Sequence, residues 1–234
     1  MLRKMFLSIA ALFIMLSSSY AVFKKKEADV KKNPVDILDF FLIIPGKYLD
    51  PFYGDMKFQE RLNYINDVSS KQVVVDTKNA YLHLTEFITE MSVKQAMTYF
   101  VKADKSKLIG VSSAVSGCEG PDDCGLAFFE YKGGKFTDVT SKVFPKLSIE
   151  LFCADADKKL ITAKMNKAMK YKVELPHEGT ECVVYPLGIG EVDNGLSPSE
   201  YETFLKIEQN FPYKKVLMVW NMAAGKFEFG KKVK

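Results

Sequence analysis

From Lys71 onward the hydrophobic pattern repeats every two residues, in short runs rich in β-branched and aromatic side chains that are broken by turn residues. Successive side chains of a strand point to opposite faces, so a pattern of this period buries itself as a sheet, and short turns between the runs make neighbouring strands antiparallel. Val73 and Val75 mark the first strand, and after a turn at Asp76 to Asn79 the second runs from Tyr81 to Phe87. Lys94 to Lys102 and Lys107 to Ser116 read as a hairpin about Ala103-Asp104-Lys105-Ser106. Leu126 to Tyr131 returns as Lys135 to Val139 through Gly133-Gly134, two residues free to adopt the positive φ of a tight primed turn. Met169, Tyr171, Val173 and Leu175 alternate with Lys170, Lys172 and Glu174, the pattern of a strand with one wet face. Cys182 to Leu187, then Val216 to Asn221 and Lys226 to Phe229 around Gly225, complete the set.

Helical signals stand at the two ends of this run. Asn33 is expected to cap a helix with Pro34 in its first position, and the apolar stretch Ile37 to Ile44 stops at Pro45-Gly46. Lys57 to Ile65 puts Phe58, Leu62 and Ile65 on one helical face. Ser197-Pro198-Ser199-Glu200 is a capping box, and its helix buries Tyr201, Phe204 and Leu205 before Phe211-Pro212 ends it. The fold class expected is α+β: a mainly antiparallel β-sheet built of sequential hairpins, with two short N-terminal helices and one helix near the C-terminus.

Residues 1–21 have the three parts of a secretory signal peptide: basic Arg3 and Lys4, an apolar stretch from Phe6 to Leu16, and small residues Ser19 and Ala21 before a cut after Ala21. The apolar stretch falls short of the roughly 20 residues of a spanning helix, and no other long apolar run follows. Residues 22–32 read as a basic flexible tail, because Lys24, Lys25, Lys26, Lys31 and Lys32 leave little to bury. Residues 33–234 are expected to form one α+β domain. Loss of the signal takes the formal charge from +4 to about +2, too close to neutral for nucleic acid to be a partner. Arginine occurs only at Arg3 and Arg61, so the basic surface is lysine, which lacks the bidentate fork that recognises carboxylates and phosphates.

Four cysteines, Cys118, Cys124, Cys153 and Cys182, in an exported chain imply disulfides with three possible connectivities. Cys118 to Cys124 is favoured, since Glu-Gly-Pro-Asp-Asp between them is a turn, and Cys153 to Cys182 follows by elimination. A loop pinned in this way and carrying Glu119, Asp122 and Asp123 is a possible low-entropy binding surface. No metal site is expected: the cysteines lack zinc-ribbon spacing, and neither Glu119, Asp122 and Asp123 nor Asp155 and Asp157 follow the order of a calcium loop. The lysines Lys158, Lys159, Lys164, Lys167, Lys170 and Lys172 are mainly a solvated face.

Signatures of the common catalytic classes are absent. The chain has no Gly-x-Ser-x-Gly, Ser-x-x-Lys or His-Glu-x-x-His, no phosphate-binding glycine loop, and no third glycine after Gly188-Ile189-Gly190 for a dinucleotide cofactor. Only two histidines exist: His83 on an alternating strand, read as structural, and His177 in the turn Pro176-His177-Glu178-Gly179. Paired carboxylates brought together from distant strands would leave no local signature, which keeps a hydrolase of envelope polysaccharide or peptide as an alternative.

The order Asp39-Phe40-Phe41-Leu42-Ile43-Ile44-Pro45, Val75-Asp76-Thr77-Lys78-Asn79-Ala80-Tyr81-Leu82 and Phe129-Glu130-Tyr131-Lys132-Gly133-Gly134-Lys135-Phe136-Thr137-Asp138-Val139-Thr140 resembles uncharacterised exported bacterial proteins with a short helical start and an aromatic hairpin. The resemblance implies a bacterial envelope or secreted protein, and it transfers no catalytic residue. The leading expectation is a periplasmic or secreted, non-enzymatic module that binds another macromolecule without a cofactor. A hydrolase is the first alternative, and a small-ligand carrier, drawn from the many Phe, Tyr and Met residues, is the second. Expressed in a bacterial host with its leader, the exported product should begin at Val22 by intact mass; a product retaining residues 1–21 would refute the cut.

Overall fold

The computed structural model describes residues 23–67, 72–117, 123–189 and 195–234. The period-two segments form two antiparallel sheets. The first holds β1 (Gln72–Asp76), β2 (Tyr81–Ile88), β3 (Met91–Val101), β4 (Lys107–Ser116), β5 (Asp123–Lys132) and β6 (Lys135–Asp138) in sequential order. The second holds β7 (Lys170–Glu174), β8 (Glu181–Gly188), β9 (Lys215–Asn221) and β10 (Lys226–Val233), again sequential. This is the α+β hairpin architecture the periodicity predicts. At the β5–β6 turn Lys132 pairs with Lys135, and Gly133 and Gly134 take φ of 57° and 81°, as a two-residue primed turn requires.

Helices are more numerous than expected. Before the first sheet come α1 (Glu27–Lys32), α2 (Ile37–Ile43), α3 (Pro51–Gly54) and α4 (Phe58–Asn66). Between and within the sheets come α5 (Thr140–Val143), α6 (Ala163–Ala168) and α7 (Pro198–Gln209). α7 starts at the expected Ser197–Glu200 capping box. The cap of α2 is Asp36 rather than Asn33: Asp36 accepts from the Asp39 amide while the Asp39 carboxylate reaches back, and Pro34 stays outside the helix.

The segment expected to be a flexible tail is docked. Asn66 clasps Phe23 by accepting from its amide at 2.8 Å and donating to its carbonyl at 3.0 Å. Lys25 lies 2.8 Å from both Asp36 and Asp39, Val30 of α1 is buried, and Tyr131 donates to the Lys31 carbonyl. The lysine count concealed these anchors, because one lysine meets a buried carboxylate and the apolar contacts are single residues.

Alternation divides the first sheet between two cores. Leu82, Leu84, Met97, Ile109, Val111 and Phe129 face the N-terminal helices and pack on Leu38, Phe41, Tyr53 and Leu62. Phe100, Leu108 and Phe128 face the second sheet, where Cys182, Val184, Val216, Met218, Trp220 and Phe227 point inward. The Trp220 indole donates to the Val101 carbonyl across the gap at 3.1 Å.

A buried guanidinium holds the helical layer together. Arg61, 4% exposed, donates through Nη1 to the carbonyls of Phe41 at 2.9 Å and Ile44 at 2.7 Å, at the C-terminal end of α2. Cations are favoured there because helix C-termini leave carbonyls unpaired. The turn after α2 meets α3 through two glycines: a Cβ on Gly46 would lie 2.1 Å from the Gly54 carbonyl oxygen. Arg61→Met should therefore lose about 3 kcal/mol of stability in urea unfolding, since charge-assisted hydrogen bonds vanish and buried carbonyls are left unpaired. Gly46→Ala should also destabilise. A loss below about 0.5 kcal/mol for Arg61→Met, the scale of a neutral surface substitution, would contradict this account.

Candidate functional site

The first sheet has six strands and the second four, and β7 approaches β4 and β5. The face of β2 and β3 turned toward the second sheet is therefore only partly covered. An open cleft of about 420 Å³ results, floored by Tyr81, His83, Thr85 and Phe87 of β2, Ser92, Lys94 and Ala96 of β3, and Ser112 and Ala114 of β4. Its wall is β7, through Lys172, Val173 and Glu174, together with Leu175 just after it. Period two explains the floor: Leu82 and Leu84 turn into the helical core, which sends Tyr81, His83, Thr85 and Phe87 to the opposite face.

Both histidines gather here. His83 and Tyr81 are parallel, with ring centroids 6.3 Å apart and planes at 6°. His177, which the chain delivers just beyond β7, stacks on Tyr81 at 4.5 Å and 24°. Its Nε2 lies 3.0 Å from Asp76 Oδ2, and since a carboxylate only accepts, Nε2 carries the proton. Asp76 also accepts from the Asn79 amide at 3.1 Å and from Asn79 Nδ2 at 2.8 Å. Those two bonds and His177 hold its carboxyl at about 2. The turn after β1 is thereby tied to the turn after β7 at the rim of the cleft.

Charge on the lining is unequal. Lys172 Nζ meets Glu174 Oε1 at 2.7 Å, so these two compensate each other. Lys94 stands opposite Thr85 in the β2–β3 register, and its ammonium has no ion-pair or hydrogen-bond partner among the described residues. Burial, with Lys94 adding repulsion, lowers the His83 pKa below the usual 6.5. Burial and the Glu174 carboxylate raise that of Tyr81. The His83 imidazole makes no hydrogen bond among the described residues, where the side-chain partners of His177 are the Tyr81 ring and Asp76. Among the described residues neither imidazole hydrogen-bonds a Ser, Thr or Cys.

The sequence-expected loop falls elsewhere. Cys118, Glu119 and Asp122 lie outside the described residues. Asp123 opens β5 opposite Val115, and Cys124 is half-buried beside Leu126, Phe144, Leu147 and Tyr171 in a second hollow of about 630 Å³ behind β7. The expected Cys153–Cys182 bridge is not formed: both are buried free thiols. Pairing by elimination carried no geometric information. Cys182 points into the core from the middle of the second sheet opposite Met218, and Cys153 donates to the Ile149 carbonyl at 3.2 Å. Burial pushes the Cys153 thiol up to about 11 and that of Cys182 up as well, which makes both poor nucleophiles. Of the lysine group, Lys158 pairs with Asp155 at 2.7 Å and Lys164 with Glu200 at 3.8 Å. Among the described residues no cluster of three His, Cys, Asp or Glu side chains is arranged to hold a metal ion, and no helix is long and apolar enough to cross a membrane.

No family model matches the chain, and no curated protein matches it. A solved structure does: a domain of an uncharacterized protein from Porphyromonas gingivalis W83, similar over 84% of this chain and 99% of that one, with a TM-score of 0.52 and 14% sequence identity. The likeness concerns the fold, and no characterised family is recognised.

Sequence reasoning placed Tyr81, His83 and Phe87 on a strand with leucines between them, and that alternation was the available signal for the floor. Lys172 and Glu174 read as the wet face of their strand and Lys94 only as the start of another, because the packing of β7 against β4 and β5, which closes the cleft, is a long-range property. His83 gives the direct test. Because its folded pKa is depressed, the unfolded chain binds more protons, and the stability His83 contributes is fully present above pH 6.5 and is lost as pH falls through the folded midpoint. NMR titration of the His83 ring should give a midpoint below 6.5, moving upward in Lys94→Met; a midpoint unmoved by that substitution would contradict the assigned repulsion.

Proposed function

We propose that the chain is an exported, non-enzymatic binding protein and that the cleft over β2 and β3 is its ligand site. The observation that carries this reading is the convergence of His83, Tyr81 and an uncompensated lysine around an open cavity, with His177 stacked on Tyr81 beside it. Ligand sites pair apolar and aromatic walls with a few convergent polar groups, and this cleft sets Tyr81, Phe87, Val173 and Leu175 beside Lys94, Thr85, Ser92 and Ser112. Neither imidazole hydrogen-bonds one of the cleft's hydroxyls among the described residues, an arrangement that favours binding over acyl transfer. Export rests on residues 1–21, with a periplasmic or secreted destination. The acidic loop at Glu119, Asp122 and Asp123, closed by a Cys118–Cys124 disulfide, belongs to the same proposal: it follows β4, whose Ser112 and Ala114 line the cleft.

The test is affinity capture from the envelope and medium of the native host, with the mature chain from Val22 beside a Tyr81→Ala, His83→Ala variant of unchanged circular dichroism. A molecule retained by the wild type and lost at least tenfold by the variant is the expected result. Equal retention by both would remove the cleft from the function, and turnover of an envelope polymer by the mature chain would replace binding with the hydrolase alternative.

A further inference from the structure

Three charged side chains line the cleft, Lys94, Lys172 and Glu174, and the Lys172–Glu174 contact at 2.7 Å leaves one net positive charge at Lys94. At the rim Asp76 and His177 are committed to each other at 3.0 Å. Around Lys94 the lining alternates ring faces with small groups that both donate and accept: Tyr81, His83 and Phe87 against Thr85, Ser92 and Ser112. Lys94 is half-buried and its ammonium has no partner among the described residues, which favours an anionic group. Hydroxyls that donate and accept suit a ligand whose own hydroxyls do the same, and aromatic faces suit its apolar C–H face.

Resting on the reading of the cleft as the ligand site, we infer that its ligand is an acidic sugar, held by a carboxylate on Lys94 with the sugar ring lying along Tyr81 and His83. The cavity, about 420 Å³, is within the range that encloses small ligands and has room for one or two sugar units. Neutral His83 beside the ammonium serves as a hydrogen-bond partner to the ring hydroxyls and adds no second charge. A bound carboxylate offsets the repulsion from Lys94, so binding raises the midpoint at which His83 takes up a proton.

The experiment is NMR titration of the mature chain with galacturonate, glucuronate and N-acetylneuraminate, with galactose as the uncharged ring and acetate as the charge without a ring. At least one acidic sugar should shift the signals of Lys94, His83 and Tyr81 saturably, raise the His83 midpoint, and bind about tenfold or more tightly than galactose and acetate. Lys94→Met should weaken that binding roughly tenfold or more, the scale of one lost charge-assisted hydrogen bond. Galactose binding as well as its acid would overturn the role of charge, and acetate binding as well as the sugars would overturn the role of the ring. Undiminished affinity in Lys94→Met would remove Lys94. No response to any of the three acids would overturn the acidic-sugar assignment, while cleft-dependent capture from the native host would still uphold binding at this site.

Discussion

A seam of aromatic rings joins the two sheets, and the arrangement of the molecule follows from it. Phe227 of β10 sits 4.9 Å from Phe100 and 5.0 Å from Phe128 of the first sheet, with Trp220 at 5.1 Å and Phe144 at 5.4 Å completing the cluster. Edge and tilted contacts of this kind contribute about 1 kcal/mol per pair beyond the area they bury. Gly110 lets the seam close on β4: a Cβ there would stand 3.0 Å from the Phe128 ring and 3.3 Å from Leu175. With the smaller sheet fixed over β4 and β5, the two extra strands of the larger one have nothing to cover them fully. The cleft is thus a result of unequal strand number and needs no special loop to form it.

The opposite face of the larger sheet is closed by short helices that have little stability alone, since isolated helices under about a dozen residues are marginal in water. Their order comes from tertiary ties. Arg61 gathers the carbonyls that end α2, and buried Gln95 accepts from the Asp50 amide at 2.9 Å while donating to the Ser112 carbonyl at 2.8 Å. Gln95 thereby links the start of α3 to a strand whose other face floors the cleft. This packing behind β2 to β4 gives the cleft a floor that is tied to the helical layer.

Much of this fold was legible because local period and turn chemistry agreed. The Gly133-Gly134 turn, the Ser197 to Glu200 box and the alternation of Met169 to Leu175 each have one physical solution, and the chain adopts it. What stayed hidden depends on residues far apart in sequence. Nothing local marks Arg61 as buried, since the carbonyls it binds belong to residues 41 and 44. His177 reads as turn punctuation until Asp76, about a hundred positions away, comes within hydrogen-bonding reach. The docking of 23–32 was missed for the same reason: Asn66 and Asp39 supply partners that composition cannot reveal. The candidate site was legible as one face of one strand, and its second wall was not.

Trp220 is the one tryptophan of the chain, and it sits in the seam with its indole N–H on the Val101 carbonyl and its ring beside Phe100 and Phe227. Indole emission depends on the polarity around the ring. The molecule therefore carries an intrinsic optical gauge at the contact between its two sheets, undiluted by any other indole. Separation of the sheets exposes this ring to water and takes away its hydrogen bond, whereas fraying of the helical layer, on the far side of the larger sheet, leaves both in place.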